Sequence, residues 1–374
     1  MEHFQKITEI LFKTSCENSE TMPHFDGYLV LENLKKYLEQ FEVEAVLQEY
    51  NQSYKDISRK HANLIIKNKV NNEKYIGLQG HIDTIPCNKE YVIKITETEI
   101  IGRGAVDMKG PLVGLICAFI ELVQNKKQNV VLIITDDEET DFAGIERLIN
   151  EKDKYLPDIQ YCINAEPTKL QPAYLTRGFG QYEISSNGNT GHSSSGENDF
   201  LIERMRSVFN AVCDYLSEAR KITDPVYGET RAAFTMLNSG IKTNQLPSDF
   251  YIACNMRIVT NIEVYKELFN KIVLPKIDET IFIKELYFEP FKSLINESTI
   301  LKLNKAFDVA GIPYNESIMH AFTESYMFNK AGIPCFSWGP GSMDLAHVVP
   351  DDEKILISDI KLYSKIIILF IEAE

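Results

Sequence analysis

GPLVGLICAFIELVQNKKQNVVLIITDDEE, residues 110–139, decides the fold. Its first part is a helical run. NVVLIITD, which follows, is a short continuous apolar stretch of the kind carried by a strand buried on both faces. Outward from it lie ANLIIKN (62–68) and YIGLQG (75–80) on one side and QYCINAE (160–166) on the other. Strands alternating with helices imply a largely parallel sheet covered by helices, an α/β class. In such sheets ligands collect at the carboxyl ends of the strands. The strands here run into GHIDTIP, DDEE and NAEPT, so three separate segments aim polar side chains at one edge.

The helical spacing of ITEILFKT and YLVLENLKKYLEQFEVEAVLQ predicts helices leading into the first strand. After about Pro172 the texture changes. QYEISSN, GENDFLIERMRSVFNAVCDYLSEARK, AAFTMLNSG, FYIACNMRIV, NIEVYKELFNKIVL and TIFIKELYF read as strand, helix, strand, strand, helix, strand. That is the split βαβ order of a ferredoxin-like unit. Residues 173–289 are therefore expected to form an inserted α+β domain, with 1–172 and 290–374 forming the metal-binding domain around it. The strand PCFSW precedes the loop GPGSMDLAH and a last helix.

The chain has 374 residues, long enough for two cores, and a formal net charge of −15. That balance disfavours nucleic acid and anionic membranes as partners, while also serving plain solubility. Seven cysteines, with no CxxC spacing, suit free thiols in a reducing cytoplasm. MEHFQKITEILFKTS is not expected to act as a signal peptide, and IIILFI is too short to span a bilayer.

Five segments carry the chemistry: GLQGHIDTIP, GRGAVDMKG, TDDEETDFAG, NAEPT and GSMDLAH. Their imidazoles and carboxylates form an oxygen and nitrogen ligand set for a pair of zinc-like ions. His81 is placed to bind metal while Asp83 accepts its other ring proton and fixes the tautomer; alone, the pair equally suits a structural histidine. Asp107, in a glycine-rich turn, is placed to bridge two ions, or merely to favour a helix N-terminus. Four consecutive carboxylates repel one another unless cations or protons intervene, although acidic runs also occur in surface loops. Glu139 is read as a ligand and Glu138 as an unligated general base that takes a proton from the attacking water. Glu166 precedes Pro167 at a strand exit, which is also an ordinary turn pattern. The glycine-rich loop bearing His347 offers the backbone of Gly339, Gly341 and Ser342 to an anion such as a substrate carboxylate. In the inserted domain, His192 is a candidate for stabilising an oxyanion. Asn244 and Arg257 are candidates for holding an amide oxygen and a carboxylate. Each of these three, taken singly, also fits a surface or packing role. Neither GxGxxG nor a Walker loop is present, which argues against nucleotide binding.

In this order the segments resemble the dinuclear zinc aminoacylase and carboxypeptidase family. That family includes acetylornithine deacetylase, succinyl-diaminopimelate desuccinylase and glutamate carboxypeptidase. The resemblance runs over essentially the whole chain. It implies that His81 and Glu166 hold one zinc, Glu139 and His347 the other, and Asp107 bridges them, with cobalt or manganese as alternative metals. It also implies Glu138 as base and Asp83 as the partner of the histidine ligand. AEPTKLQPAYLTRG, NTGHSSSGENDFLIERM, TESYMF and GPGSMDLAHVVPDDE look most like acetylornithine deacetylase. By contrast GHSSSGEND lacks the proline often found after the serines, and HAFTES and SGIKTNQLP depart locally. The resemblance implies a cytoplasmic homodimer paired through the inserted lid domain, with His192 lent to the partner's site. It further implies hydrolysis of an N-acyl amino acid, N-acetylornithine first, and so a place in amino-acid metabolism and arginine biosynthesis. An N-succinyl amino acid or a dipeptide is the alternative substrate. A non-catalytic small-carboxylate-binding protein is the alternative of another class.

Overall fold

A computed structural model describes residues 2–19, 22, 25–54, 57–71, 73–87, 90–194 and 200–373. The chain divides into two units. One comprises 1–174, 293–317 and 323–374; the other comprises 175–292 and 318–322.

The first unit is built on a mixed sheet whose strand order is Glu44–Tyr54, Ile57–Lys67, Val130–Thr135, Tyr75–His81, Ile159–Asn164, Cys335–Ser337 and then the strand beginning at Ala173. Its four central strands, from Val130–Thr135 to Cys335–Ser337, run parallel, while the outer pairings are antiparallel. The apolar runs behave as their composition requires: every residue of Val130–Thr135 is buried. Lys109–Asn125 is buried almost all round and packs against the helices Glu2–Phe12 and Ile357–Glu372. Registers of His81 opposite Thr135 and Gln79 opposite Asn164 keep the strand ends level. The polar segments therefore leave the sheet along a single edge.

One expectation fails. EVEAVLQ is not helical: the helix Gly27–Leu38 and a short 3₁₀ turn, Glu39–Phe41, stop at Glu42, whose φ of 58° is left-handed. The chain then enters the strand Glu44–Tyr54. There Gln48, Tyr50 and Tyr54 turn inward while Glu49, Asn51 and Ser53 face out, the two-residue period of a strand paired along its length with Ile57–Lys67.

The second unit is a four-stranded antiparallel sheet in the order Arg231–Ser239, Asp249–Ile258, Gly178–Asn187, Ile281–Phe288. The helices Phe200–Ala219 and Ile262–Ile272 share its core with the sheet; Tyr182 stacks on Phe269 at 3.7 Å, and Tyr215 meets both edge-on. The connection strand, helix, strand, strand, helix, strand gives the split βαβ order. Asn261 caps the second helix by accepting the Glu263 amide. No helix among the described residues is long and apolar enough to cross a membrane.

Candidate metal centre

His81 is the last residue of its strand and is fully buried. Its Nδ1 faces only acceptors, the Asp83 carbonyl at 3.0 Å and Asp83 Oδ1 at 3.5 Å. With a cation in place of a proton on Nε2, the ring would keep its proton on Nδ1 for Asp83 and present the Nε2 lone pair to the site. Nε2 lies 3.2 Å from Asp107 Oδ1, 3.8 Å from Glu166 Oε1 and 4.0 Å from Glu138 Oε2. On the far side, His347 Nε2 lies 3.3 Å from Asp107 Oδ2 and 3.0 Å from Glu139 Oε1. The two oxygens of Asp107 thus serve two different histidines. The histidines differ in setting: the His81 side chain is 1% exposed and the His347 side chain 42%.

Three devices hold these side chains. Asp83 accepts the amides of Glu138 and Glu139 at 3.1 Å each, and Asn18 Nδ2 donates to Asp83 at 3.2 Å and to Asp137 at 2.7 Å. Glu353, fully buried, accepts the Gly104 and Val106 amides at 2.8 and 3.1 Å and pairs with Arg103, so it grips the turn that ends in Asp107. The loop after Ser337 lies against the Glu166 turn: Thr168 and Leu170 amides donate to Gly339 O. A Cβ on Gly339 would sit 2.5 Å from the Ala165 carbonyl, so only glycine permits that approach.

The charges are unbalanced. Burial alone would raise Asp107, but hydrogen bonds from His347 and His81 hold it far below the usual carboxylate range. Burial likewise opposes ionisation of Asp83, and His81 overrides it. Glu138 and Glu166 have no such hydrogen bond from a histidine, and the one that Glu139 receives from His347 does not outweigh its burial. Burial first, and then repulsion among neighbouring carboxylates, pushes all three upward against the pull of the imidazoles. Both histidines answer: burial would lower them, yet Asp107 and Asp83 carry His81 well above its ordinary value, and Glu139 with Asp107 pushes His347 up to about 11. Five largely buried carboxylates with the buried His81 and the part-exposed His347 are a donor set suited to divalent cations. Two groups have ligand atoms within 4.8 Å of one another: His81 with Glu138 and Glu166, and His81 with Asp107 and Glu139.

The structure thus brings together His81, Asp83, Asp107, Glu138, Glu139, Glu166 and His347. It corrects one expectation, because the Gly339 amide donates to Thr168 Oγ1 and is not offered to an anion. Gly341, at a left-handed φ of 85°, and Ser342, whose hydroxyl accepts the Asp344 amide, form the turn before His347. In the second unit His192 and Asn244 come together: His192 bridges to Gln245, and the Ser193 amide donates to the Asn244 carbonyl. His192 Nδ1 accepts from Ser194, and both His192 and Asn244 are exposed. Arg257 lies over the Phe179 ring at 5.0 Å. Of GHSSSGEND, Ser195–Asp199 lie outside the described residues. Asn18 and Glu353 were not singled out from sequence; each reaches its target across a long stretch of chain and leaves no local pattern.

The sequence profile of Peptidase family M20/M25/M40 matches residues 77–373. Acetylornithine deacetylase from Buchnera aphidicola subsp. Schizaphis graminum is 28% identical over 314 residues, covering 78% of each chain. A [LysW]-lysine/[LysW]-ornithine hydrolase from Saccharolobus islandicus is 26% identical over 308 residues, covering 80% of this chain and 81% of the other. Among solved structures, a metallo-carboxypeptidase from Sulfolobus solfataricus superimposes with a TM-score of 0.73 at 17% identity, covering 99% of this chain and 98% of the other. A di-peptidase from Saccharomyces cerevisiae gives 0.78 at 13%, covering 99% and 95%. At these identities the two structures establish the shared fold.

Proposed function

The chain belongs to peptidase family M20/M25/M40, and from that premise we propose that it is a dinuclear metal-dependent amidohydrolase of N-acyl amino acids, with N-acetylornithine the first substrate to test. The observation that carries the reading is Asp107, whose two oxygens face His81 and His347 separately. His81 and Glu166 would hold one ion, Glu139 and His347 the other, with Asp107 between them; zinc is the first assignment and cobalt or manganese the alternatives. The ions, when bound, supply Lewis acidity to the water and the acyl carbonyl.

The chain's own residues do the rest. Glu138, its amide anchored on Asp83, takes a proton at its carboxylate from the attacking water and hands it to the departing amine nitrogen. Burial and its acidic neighbours raise its proton affinity, the adjustment a general base needs if it is also to act as an acid. His192 is assigned to the developing oxyanion, Asn244 to an amide oxygen, Arg257 to the substrate carboxylate, and Gly341 with Ser342 to the amino acid part. We assign 173–289 the role of lid and dimerisation domain and place the enzyme in the cytoplasm. Seven free cysteines among the described residues support the second assignment.

Amine release from N-acetylornithine, N-succinyl-diaminopimelate, N-acetylmethionine and a dipeptide, measured after chelation and again with zinc or cobalt restored, tests the reading. Metal-dependent turnover favouring N-acetylornithine is expected. Preference for another compound replaces the substrate, and metal binding without turnover of any would overturn the assignment of these substrates.

A further inference from the structure

The first unit contains a buried polar belt that the proposed reaction does not use. On four adjacent parallel strands lie Thr135, Gln79, Asn164 and Ser337, all completely buried, the first three of them two or three residues before Glu138, His81 and Glu166. They are joined in order. Gln79 Nε2 donates to Thr135 Oγ1 at 3.0 Å, Asn164 Nδ2 donates to Gln79 Oε1 at 2.6 Å, and Ser337 Oγ donates to Asn164 Oδ1 at 3.0 Å. The segment Thr323–Ser325, from the TESYMF run, grips both ends. Thr323 and Ser325 hydroxyls lie 3.3 and 3.4 Å from Ser337 Oγ, while Glu324 Oε2 accepts from Thr135 Oγ1 at 2.6 Å and from Gln79 Nε2.

Glu324 is itself fully buried, and among the described residues its hydrogen-bond partners include no cation and its second oxygen, Oε1, has no hydrogen-bond partner. A buried acid held in this way is a costly choice for packing alone. Its two donors sit at decisive points. Gln79 is two residues before His81, and Thr135 immediately precedes the Asp136–Glu139 turn. Gln79 is also tied to Asn164, two residues before Glu166. Backbone pairing sets the register of the strands that end in His81 and Glu166, with the Ala165 amide donating to Gln79 O at 2.9 Å, and the belt adds a side-chain lock between the same strands just below the two ligands.

We propose that Glu324 is a positioning residue for the metal ligands, acting as the shared acceptor that clamps Gln79 and Thr135 and thereby sets the spacing of His81, the Glu138–Glu139 turn and Glu166. This rests on the metal-centre reading given above. The role is that of an acceptor. A glutamine offers the same oxygen and should serve, whereas leucine removes it at similar size. Without the clamp Thr135 retains Gly80 O as a partner, so the sheet need not come apart when the metal site loosens.

Zinc affinity by chelator competition, with melting temperature alongside, tests this on the parent, Glu324→Gln, Glu324→Leu and Thr135→Val. The parent is expected to bind two zinc ions. Glu324→Leu should lose about 10- to 100-fold in affinity for one of them, the range seen when a residue supporting a ligand is removed. Thr135→Val should lose less, and Glu324→Gln should bind as the parent does. Should Glu324→Leu fail to fold, Thr135→Val and Glu324→Gln still decide the matter. Unchanged affinity in Glu324→Leu or Thr135→Val, even with a lower melting temperature, overturns the positioning role. So does a loss in Glu324→Gln equal to that in Glu324→Leu. A parent that binds no zinc overturns the metal-centre reading itself, a result distinguishable from both.

Discussion

The Glu138 amide donates to Asp83 Oδ1 at 3.1 Å, so the residue that orients the His81 ring also fixes the backbone of the proposed base. Ligand geometry and base geometry are tied through one carboxylate. Asp83→Ala is therefore expected to weaken metal binding by about 10- to 100-fold and to lower kcat even when metal is saturating. Titration of activity against zinc concentration separates the two effects; full recovery of kcat at high zinc would show that Asp83 serves the ligand alone.

Glu138→Gln keeps size and shape while removing the proton acceptor. Two metal ions per chain by elemental analysis, with kcat down by about two to four orders of magnitude, is the expected outcome. Near-normal turnover would reject Glu138 as the base.

Arg257→Ala should raise KM for an N-acyl amino acid while leaving metal content alone, because Arg257 sits in the second unit over Phe179. An N-acyl amine lacking the carboxylate should be handled equally by both proteins. An unchanged KM for the carboxylate substrate would exclude the anchoring role.

The pH dependence of stability should depend on metal. Glu138, Glu139 and Glu166 have folded-state values above their unfolded ones, as do His81 and His347, the last at about 11. Groups raised on folding contribute stability that is present below the unfolded value and lost as pH rises through the folded one. After chelation the protein should therefore lose stability progressively as pH rises from the unfolded carboxylate range, about 4, towards the His347 value of about 11. Asp83 and Asp107, lowered on folding, act only in acid and do not oppose this trend. Zinc competes with protons for the same atoms and binds better as pH rises. The gap in melting temperature between zinc-loaded and chelated protein should widen across that window, and a constant gap would contradict the charge assignment.

Arg231–Ser239 is an edge strand whose Met236 and Leu237 are 49% and 50% exposed, with Ile241 beyond it at 88%. Open apolar edges invite a second chain. Light scattering is expected to give twice the 42.8 kDa chain mass for the parent and a single chain for Leu237→Lys with Ile241→Glu. A parent running as a single chain would remove the dimer proposal.

The central strands were legible because strands buried on both faces must be continuously apolar, and the site segments because most of them begin where such a run stops. The hairpin was not. Val43, Val46, Leu47 and Tyr50 fall at i, i+3, i+4 and i+7, which is helical spacing, and the strand period emerges only when Ile57–Lys67 pairs alongside. Asn18, Glu353 and Glu324 were missed for another reason. Each makes contacts at sequence separations of 65 residues or more, and a single acid or amide in a loop has no periodicity to betray it.

The proposed ligands enter the chain in the order His81, Asp107, Glu139, Glu166 and His347, and the whole second unit is strung between the last two. During synthesis the growing polypeptide carries four of the five, with one imidazole among them, long before the other imidazole leaves the ribosome. Full coordination by this set would thus wait on synthesis of the segment that follows the second unit. A chain stopping before His347 would offer one histidine among its carboxylates, so tight uptake of a second ion would report that the segment bearing His347 has been made and folded back beside Asp107.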